Sequence, residues 1–148
     1  MQISIRPYAT ADLDETARLW FESWRSTGLD VAQQATEAAM RARIPQELAS
    51  GWAVYLAVDD NGRLAGFLAL KPEIGRLDQI FVAPSCQRQG VGRALLDFAK
   101  RQMPKAMWLR TAVDNMGACR FYERSGFRRG ETDVHPTLGH GTVIYRWP

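Results

Sequence analysis

The stretch QRQGVGRALLDFAKR, residues 87–101, decides the fold of this 148-residue chain. Gly90 and Gly92 stand one residue apart at the start of a run whose apolar residues recur at helical spacing. The first N–H groups of a helix lack partners and carry a partial positive charge, so they suit a phosphate group. Glycines keep side chains away from such a phosphate, and Arg88 and Arg93 add charge. The same spacing also fits a tight strand-to-helix turn that binds nothing.

Two other phosphate-binding loops do not fit this stretch. A P-loop ends in Gly-Lys-Ser or Gly-Lys-Thr, whereas Gly92-Arg93-Ala94 stands here. A dinucleotide-binding loop needs a third glycine three residues after the second, and Leu95 occupies that position. The loop therefore belongs to a different class.

Composition limits the class of protein. With 148 residues, 46% hydrophobic and 24% charged, residues 1–148 are predicted to form one domain with a sizeable core. Residues 1–15 lack a signal-peptide pattern, and no apolar run approaches the length of a membrane span, so we expect a cytoplasmic protein with no membrane partner. Cys86 and Cys119 have no metal spacing and are expected to be reduced. The net charge of +3, with arginines spread along the chain, does not indicate nucleic-acid binding.

Strand-like and helix-like patterns alternate along the chain in the order β-α-α-β-β-β-α-β-α-β-β, which predicts a mixed α/β fold. An Asn-Gly turn signal joins the second and third strands. The predicted strands span residues 2–6, 52–58, 63–71, 76–82, 106–113, 127–134 and 142–147.

Helices are predicted between these strands. The first carries an apolar stripe that includes Trp20, Phe21 and Trp24, with Thr10 or Asp12 as its N-cap. A second helix is predicted over residues 31–43, and Pro45 begins a short one through Ala49. The glycine-rich stretch continues as a helix over residues 91–103, and a last helix runs from a cap at Asn115 to a stop at Gly126.

Two motifs in this chain resemble those of the Gcn5-related N-acetyltransferase (GNAT) family. Gln87-Arg88-Gln89-Gly90-Val91-Gly92 matches the family's acetyl-CoA signature, Gln/Arg-x-x-Gly-x-Gly/Ala. Residues 115–127 match a second pattern, N-x-x-A-x-x-F-Y-x-x-x-G-F, and residues 77–84 resemble the family's fourth strand and the connection after it. The resemblance implies a mixed, mostly antiparallel central sheet flanked by helices. In it, the fourth and fifth strands splay apart to admit acetyl-CoA.

The resemblance also implies roles for particular residues in binding acetyl-CoA. Backbone N–H groups of Ile80, Phe81 and Val82 are expected to hold the pantetheine arm and the acetyl carbonyl, and Asn115 to bind the same arm. Tyr122, which follows Asn115 by two helical turns, is expected to contact the cofactor and to protonate the leaving thiolate; the alternative is that it only packs the helix. The residues expected to hold the pyrophosphate are Gln87, Arg88, Gln89, Gly90, Val91, Gly92 and Arg93.

A general base is harder to assign. An alkyl amine with a pKa of about 10 is protonated at neutral pH and must lose its proton before it attacks. Some similar peptide acetyltransferases have Glu five residues before the Asn, but here that residue is Arg110, which cannot accept a proton. Asp78, expected on the same face as Ile80, is the first candidate, directly or through water, followed by Glu73, His135 and His140. Asp78 also fits a simple salt bridge, and an amine of low pKa needs no base.

The acceptor pocket of the family is built from the first two helices and the loop between the last two strands. Here these segments supply Trp24, Arg25 and His135 as candidate substrate-binding residues, although a Trp and Phe stripe also fits a core. The two loop histidines lack metal spacing, so no metal is predicted.

The predicted function is transfer of the acetyl group of acetyl-CoA to a primary amine of a small molecule, amino acid or peptide, by direct attack in a ternary complex. The alternative is a non-catalytic acyl-CoA-binding sensor or a partner-binding module on the same fold. Dimers are frequent in this family, so a homodimer is a further candidate.

Overall fold

A computed structural model describes residues 2–148, within which the predicted order of elements is confirmed. The strands are β1 Ser4–Pro7, β2 Ala53–Val58, β3 Leu64–Lys71, β4 Arg76–Val82, β5 Met107–Ala112, β6 Arg128–Val134 and β7 Gly141–Trp147. The helices are α1 Leu13–Ser26, α2 Glu37–Ala49, α3 Val91–Gln102 and α4 Met116–Arg124.

The strands form one mixed sheet in the order β1-β2-β3-β4-β5-β7-β6. Every neighbouring pair is antiparallel except β4 and β5, which are parallel. These two strands pair at a single register position, Arg76 with Trp108, and then diverge. The sheet is therefore split along most of its centre, as the family resemblance implies.

Helices cover both faces of the sheet, and each pair of helices has its own core. On one face, α3 and α4 bury Val91, Leu95 and Tyr122 against β3, β4 and β7. On the other face, α1 and α2 bury Trp20 and Ile44 against β2 and β3. Burial of each such side chain stabilises the fold by roughly 1.5–3 kcal/mol. The α3 and α4 core thus joins both halves of the split sheet, whereas the α1 and α2 core packs on the half that contains β2, β3 and β4.

The region of α2 differs from the sequence prediction. The expected helix over 31–43 and the separate helix from Pro45 are wrong: a 3₁₀ turn at Asp30–Gln34 precedes one continuous helix, Glu37–Ala49, with Pro45 inside it. The backbone is extended at Thr36, whose side-chain oxygen accepts the N–H of Ala39 at 3.1 Å. This cap starts the helix later, and Pro45 then removes only one hydrogen bond from it.

Asp12 is the N-cap residue of α1, one of the two that the sequence predicts, but its side chain does not cap the helix. The carboxylate instead accepts the N–H of Ala9 at 2.8 Å and pairs with Arg6 at 2.8 Å. Thr10 lies within the 3₁₀ turn Thr10–Asp12 that these contacts stabilise. Arg6, which lies on β1 outside the helix, thus competes for the side chain that local pattern assigned to the cap.

Both ends of α4 follow the prediction. Asn115 caps the helix, since its side chain accepts the N–H of Ala118. Gly126 has a φ of 90°, its N–H bonds to Glu123, and the N–H of Phe127 bonds to Tyr122. This is the glycine stop expected at a helix C-terminus.

Two further features concern the helices and the cysteines. Among residues 2–148, no helix combines the length and apolar character needed to cross a bilayer. Cys86 and Cys119 are free thiols, the first half-buried and the second buried.

Candidate active site

The divergence of β4 from β5 opens a cleft of about 410 Å³ through the sheet. Residues 77–81 of β4 line one side and residues 109–112 of β5 line the other. Residues from α1, α2 and α4 also reach this space, so it connects the two faces of the sheet. We call this space the β4–β5 cleft.

Backbone N–H groups of β4 point into the β4–β5 cleft. The N–H of Ala83 donates to Ala65 on β3 at 2.9 Å, and the direction of these groups alternates along an antiparallel pair. The N–H groups of Ile80 and Val82 therefore point away from β3, toward the gap that β5 leaves open, whereas that of Phe81 points to β3. Of the three amides expected to hold the pantetheine arm, two therefore point toward the β4–β5 cleft.

Asp78 lies on a β-bulge, which changes its predicted orientation. Leu77 pairs with Leu70 and Gln79 with Ala69, so Asp78 has no partner on β3. Its side chain contacts Trp52 of the α1 and α2 core, whereas Ile80 packs in the opposite core. The expectation that Asp78 and Ile80 share a face is wrong, because simple alternation does not continue through a bulge.

The carboxylate of Asp78 is buried, with 4% of the side chain exposed, and is surrounded by donors. Trp52 donates its Nε1–H at 2.6 Å, Arg76 lies at 3.2 Å and Lys71 at 3.8 Å. Asp78 lines the β4–β5 cleft, but its oxygens are engaged by these three side chains. The arrangement suits a counter-ion better than a free proton acceptor.

The glycine-containing turn before α3 is exposed and accessible. Gly90 is the N-cap of α3 with a φ of 85°, and no side chain caps the helix. A Cβ at Gly90 would meet no atom within 4 Å, whereas one at Gly92 would contact Val82 and Phe121 at 3.5 and 3.6 Å. Gly90 thus provides the left-handed turn, whereas a methyl group at Gly92 would make only ordinary contacts.

Basic and amide side chains flank this turn. Arg88 has a φ of 64°, a strained conformation for a residue with a side chain. Arg88 and Arg93 are exposed, and neither forms an ion pair with another residue within 2–148. Gln87 donates to the carbonyl of Val82 at 3.4 Å, and Gln89 is exposed. The free helix N–H groups and the two guanidinium groups fit the pyrophosphate of a coenzyme A.

Asn115 and Tyr122 reach the β4–β5 cleft from α4. The side-chain oxygen of Asn115 accepts the N–H of Ala118 at 3.2 Å, which leaves its NH₂ group free to donate. Tyr122 is 6% exposed, and its ring packs against Phe127 and Tyr145. Burial raises the pKa of Tyr122, so its hydroxyl stays protonated at neutral pH and is available as a donor.

The candidate substrate residues do not all meet in the β4–β5 cleft. Trp24 lines it, with its ring edge-on to Phe81 at 6.1 Å. Arg25 is exposed outside the lining, where it lies over Phe21 and donates to Gln33 at 3.2 Å. Glu73, a lower-ranked base candidate, is exposed on the turn before β4, also outside the lining.

His135 and His140 line the cleft from the β6–β7 loop, with stacked rings 5.0 Å apart. Nδ1 of His135 accepts the N–H groups of Thr137 and Leu138 at 3.1 and 3.0 Å. In the neutral ring the proton is therefore on Nε2, which makes this atom a donor rather than a base. Burial lowers the pKa of His135, and nearby positive charges lower it further.

Sequence reasoning did not identify three basic side chains that line the same cleft: Arg43 from α2, Lys71 from the end of β3 and Arg76 from β4. They come from separate elements and share no motif, so nothing in the sequence indicates that they meet. The comparison with similar peptide acetyltransferases marks Arg110 only as a replacement for a glutamate. Its position in the alternating strand MWLRTAV, between two core-facing residues, is the one local signal that it points to the other face.

The split sheet, the amides directed into its gap and the exposed helix N-terminus define a fold that holds an acyl-CoA between two strands. Residues 13–127 match the family described as the Acetyltransferase (GNAT) family. The chain belongs to this family, and the prediction of its family and fold is confirmed.

Similar proteins include an uncharacterized N-acetyltransferase of Methanocaldococcus jannaschii, 28% identical over 86% of this chain and 62% of the relative. A mycothiol acetyltransferase of Pseudarthrobacter chlorophenolicus is 31% identical over 89% of this chain and 44% of the relative. A peptidyl-lysine N-acetyltransferase of Escherichia coli is 32% identical over 61% of this chain and 60% of the relative. The chain thus spans only about half to three fifths of the length of these relatives.

Among solved structures, the fold is similar to that of a PaiA N-acetyltransferase from Thermoplasma acidophilum in complex with coenzyme A. The TM-score is 0.78 at 21% identity, covering 99% of this chain and 100% of the other. The apo form of YjaB from Escherichia coli gives a TM-score of 0.77 at 22% identity, covering 99% and 98%. These likenesses concern the fold.

Proposed function

We propose that the protein is an N-acetyltransferase that transfers the acetyl group of acetyl-CoA to a primary amine by direct attack in a ternary complex. The observation that carries this proposal is the single register pair between β4 and β5, which leaves a cleft open to both faces of the sheet. A thioester and an amine can therefore meet between the strands from separate sides. The relatives named for acetylation of mycothiol and of peptidyl lysine support acetyl transfer.

The residues of the chain would hold acetyl-CoA at two places. The exposed turn from Gln87 to Arg93 binds the pyrophosphate through backbone amides and the guanidinium groups of Arg88 and Arg93. The free side-chain NH₂ of Asn115 binds the pantetheine arm. Acetyl-CoA supplies the activated acyl group, and these side chains and amides determine where its thioester lies.

Within the cleft, Ile80 and Val82 donate backbone hydrogen bonds where negative charge develops on the acetyl oxygen. A fixed donor of this kind is worth about 3 kcal/mol of barrier. Tyr122 donates its proton to the departing thiolate, which its buried and protonated hydroxyl can do from α4. The nitrogen that attacks loses one proton to water and Tyr122 regains one from water, so the products are the acetylated amine and coenzyme A. Asp78 keeps Arg76 and Trp52 in place, since these side chains occupy its oxygens.

The test is release of free thiol from acetyl-CoA when the purified protein is offered amines of different classes. Turnover with at least one amine, abolished in the absence of protein, is the expected result. Binding of coenzyme A without turnover on any amine would favour the non-catalytic acyl-CoA-binding module instead. A cytoplasmic location and a homodimer stay predictions from the sequence.

A further inference from the structure

The acceptor side of the β4–β5 cleft carries an excess of positive charge. Four cationic side chains line it, and they are Arg43, Lys71, Arg76 and Arg110. Only two carboxylates pair with them: Glu47 lies 3.0 Å from Arg43 and 3.6 Å from Lys71, and Asp78 lies 3.2 Å from Arg76. Four positive charges against two negative ones leave this wall ready to receive an anionic group.

Arg110 is the cation without a counter-ion. It lies on β5 opposite Ile144, and its neighbour Leu109 points into the α3 and α4 core, so Arg110 points to the α1 and α2 face. It forms no ion pair within residues 2–148, and its Nε is buried without a hydrogen-bond partner. A buried, unpartnered guanidinium N–H is costly, and an acceptor oxygen from a ligand would remove that cost.

Arg76 lies in the same cleft but is already paired. Its Nε is 3.2 Å from Oδ1 of Asp78, although the contact lacks hydrogen-bond geometry, and its guanidinium lies 4.8 Å from the Trp108 ring centre. Arg76 therefore adds a second guanidinium to the cleft, whereas the unpartnered Nε–H is that of Arg110.

His135 adds a third donor. Because its Nδ1 accepts two backbone N–H groups, Nε2 carries the proton. Arg110, Arg43 and Arg76 line the same cleft as His135, and their positive charges help to lower the pKa of His135, after burial and His140. His140 has a buried Nδ1 with no partner beside it.

We propose that the acceptor amine carries a carboxylate, as a free amino acid does, and that Arg110 binds this carboxylate with help from Arg76 and His135. The inference rests on the proposed acetyl transfer and names the class of its substrate. A forked guanidinium matches the planar carboxylate in a bidentate geometry. Some similar peptide acetyltransferases have a glutamate at the position of Arg110, and a glutamate would repel a carboxylate. The arginine in this chain cannot act as a base, but it can bind an anion.

The experiment compares matched acceptors. Amino acids are offered beside their α-amides and their decarboxylated amines, with aminoalkyl phosphates as a further arm, and kcat/KM is measured by thiol release and expressed per neutral amine. We expect the carboxylate form to be preferred about 10- to 100-fold over both neutral partners, the range for hydrogen bonds to charged groups.

Variants assign this preference to its residue. Arg110→Gln should reduce the preference to about threefold or less, while Arg110→Lys keeps part of it because the charge remains. Arg63→Gln is the matched control, because Arg63 is an exposed arginine of the β2–β3 turn outside the cleft. Its preference should equal that of the unmodified protein. Coenzyme A affinity and thermal midpoints are measured for all variants.

Each other outcome overturns the inference. Preference for neutral amines or for phosphates rejects the carboxylate site but leaves acetyl transfer established. An unchanged preference in Arg110→Gln rejects Arg110 as its source. If Arg110→Gln does not fold, the inference is tested by the carboxylate preference of the unmodified protein and by that of Arg110→Lys. Coenzyme A binding with no turnover of any acceptor rejects the proposed function and the inference together.

Discussion

Replacement of Gly90 by glutamate tests how the turn before α3 binds acetyl-CoA. Gly90 has a φ of 85° and faces open space at the N-terminus of the helix, so a side chain there enters the region proposed for the pyrophosphate. Two unit charges about 6 Å apart at an effective dielectric constant of about 20 repel by roughly 3 kcal/mol. Gly90→Glu should therefore weaken coenzyme A binding by about 100-fold or more.

The same substitution also strains the backbone, and this effect must be separated from the charge. A left-handed conformation costs a residue with a side chain roughly 1–2 kcal/mol, which lowers the thermal midpoint by about 2–8 °C. Gly62, in the turn between β2 and β3, is a matched control because its φ is 77° and its Cβ would also meet no atom within 4 Å. Gly62→Glu should show the same thermal shift and unchanged coenzyme A affinity.

Isothermal titration calorimetry with coenzyme A, at low and high salt, provides the measurement. The coenzyme A affinity of Gly90→Gln, which keeps the strain without the charge, should lie between those of Gly90→Glu and the unmodified protein. Added salt should reduce the difference in affinity between Gly90→Glu and Gly90→Gln. If Gly90→Glu bound coenzyme A within twofold of the unmodified protein, the phosphate would not rest on this turn. Equal losses for Gly62→Glu would assign the effect to strain alone.

Three further predictions concern single side chains. Tyr122→Phe should lower kcat by about 10²- to 10⁴-fold with little change in coenzyme A affinity; unchanged thiol release would exclude Tyr122 as the acid. Asp78→Asn should lower the free energy of unfolding in urea by about 1–3 kcal/mol, because it leaves partly exposed cations without their counter-ion; an unchanged midpoint would contradict the counter-ion role. The hydrogen bond from Arg6 holds the pKa of Asp12 below its usual value, so this contribution to stability is present above the unfolded pKa of about 3.9 and is lost as the pH falls through the folded one. Arg6→Gln should therefore reduce stability at pH 7 but not below the folded-state pKa, and an equal loss at both pH values would refute the linkage.

Local pattern predicted those parts of the fold that local forces determine. The strands and the helices α3 and α4 follow from periodicity, and the end of α4 follows from Asn115 and Gly126, because caps act within a few residues of themselves. At the start of α1, the position of the N-cap could be predicted but the missing capping bond could not, because Arg6 takes the carboxylate of Asp12. The continuity of α2 through Pro45 likewise depends on tertiary packing, which buries Ile44 beside it.

The candidate site likewise has a part that local sequence predicts and a part that only the folded chain reveals. The turn from Gln87 to Arg93 is contiguous, so a motif can reveal it, as can the pair Asn115 and Tyr122 on one helix. The acceptor wall is assembled from single residues far apart in sequence, such as Arg43 and Arg76, and only the folded chain brings them together. Arg25, beside Trp24 in sequence, points elsewhere because neighbouring residues of a helix do not share a face.

The bulge at Asp78 lies two residues after Arg76, the position at which β4 pairs with β5. A bulge bends its strand, so this one supernumerary residue diverts β4 from its parallel neighbour. We expect that deletion of Asp78 would let β4 and β5 pair along more of their length and close the gap between them. The sheet would then be more regular and would have no passage for a thioester, so the proposed reaction depends on one additional residue in β4.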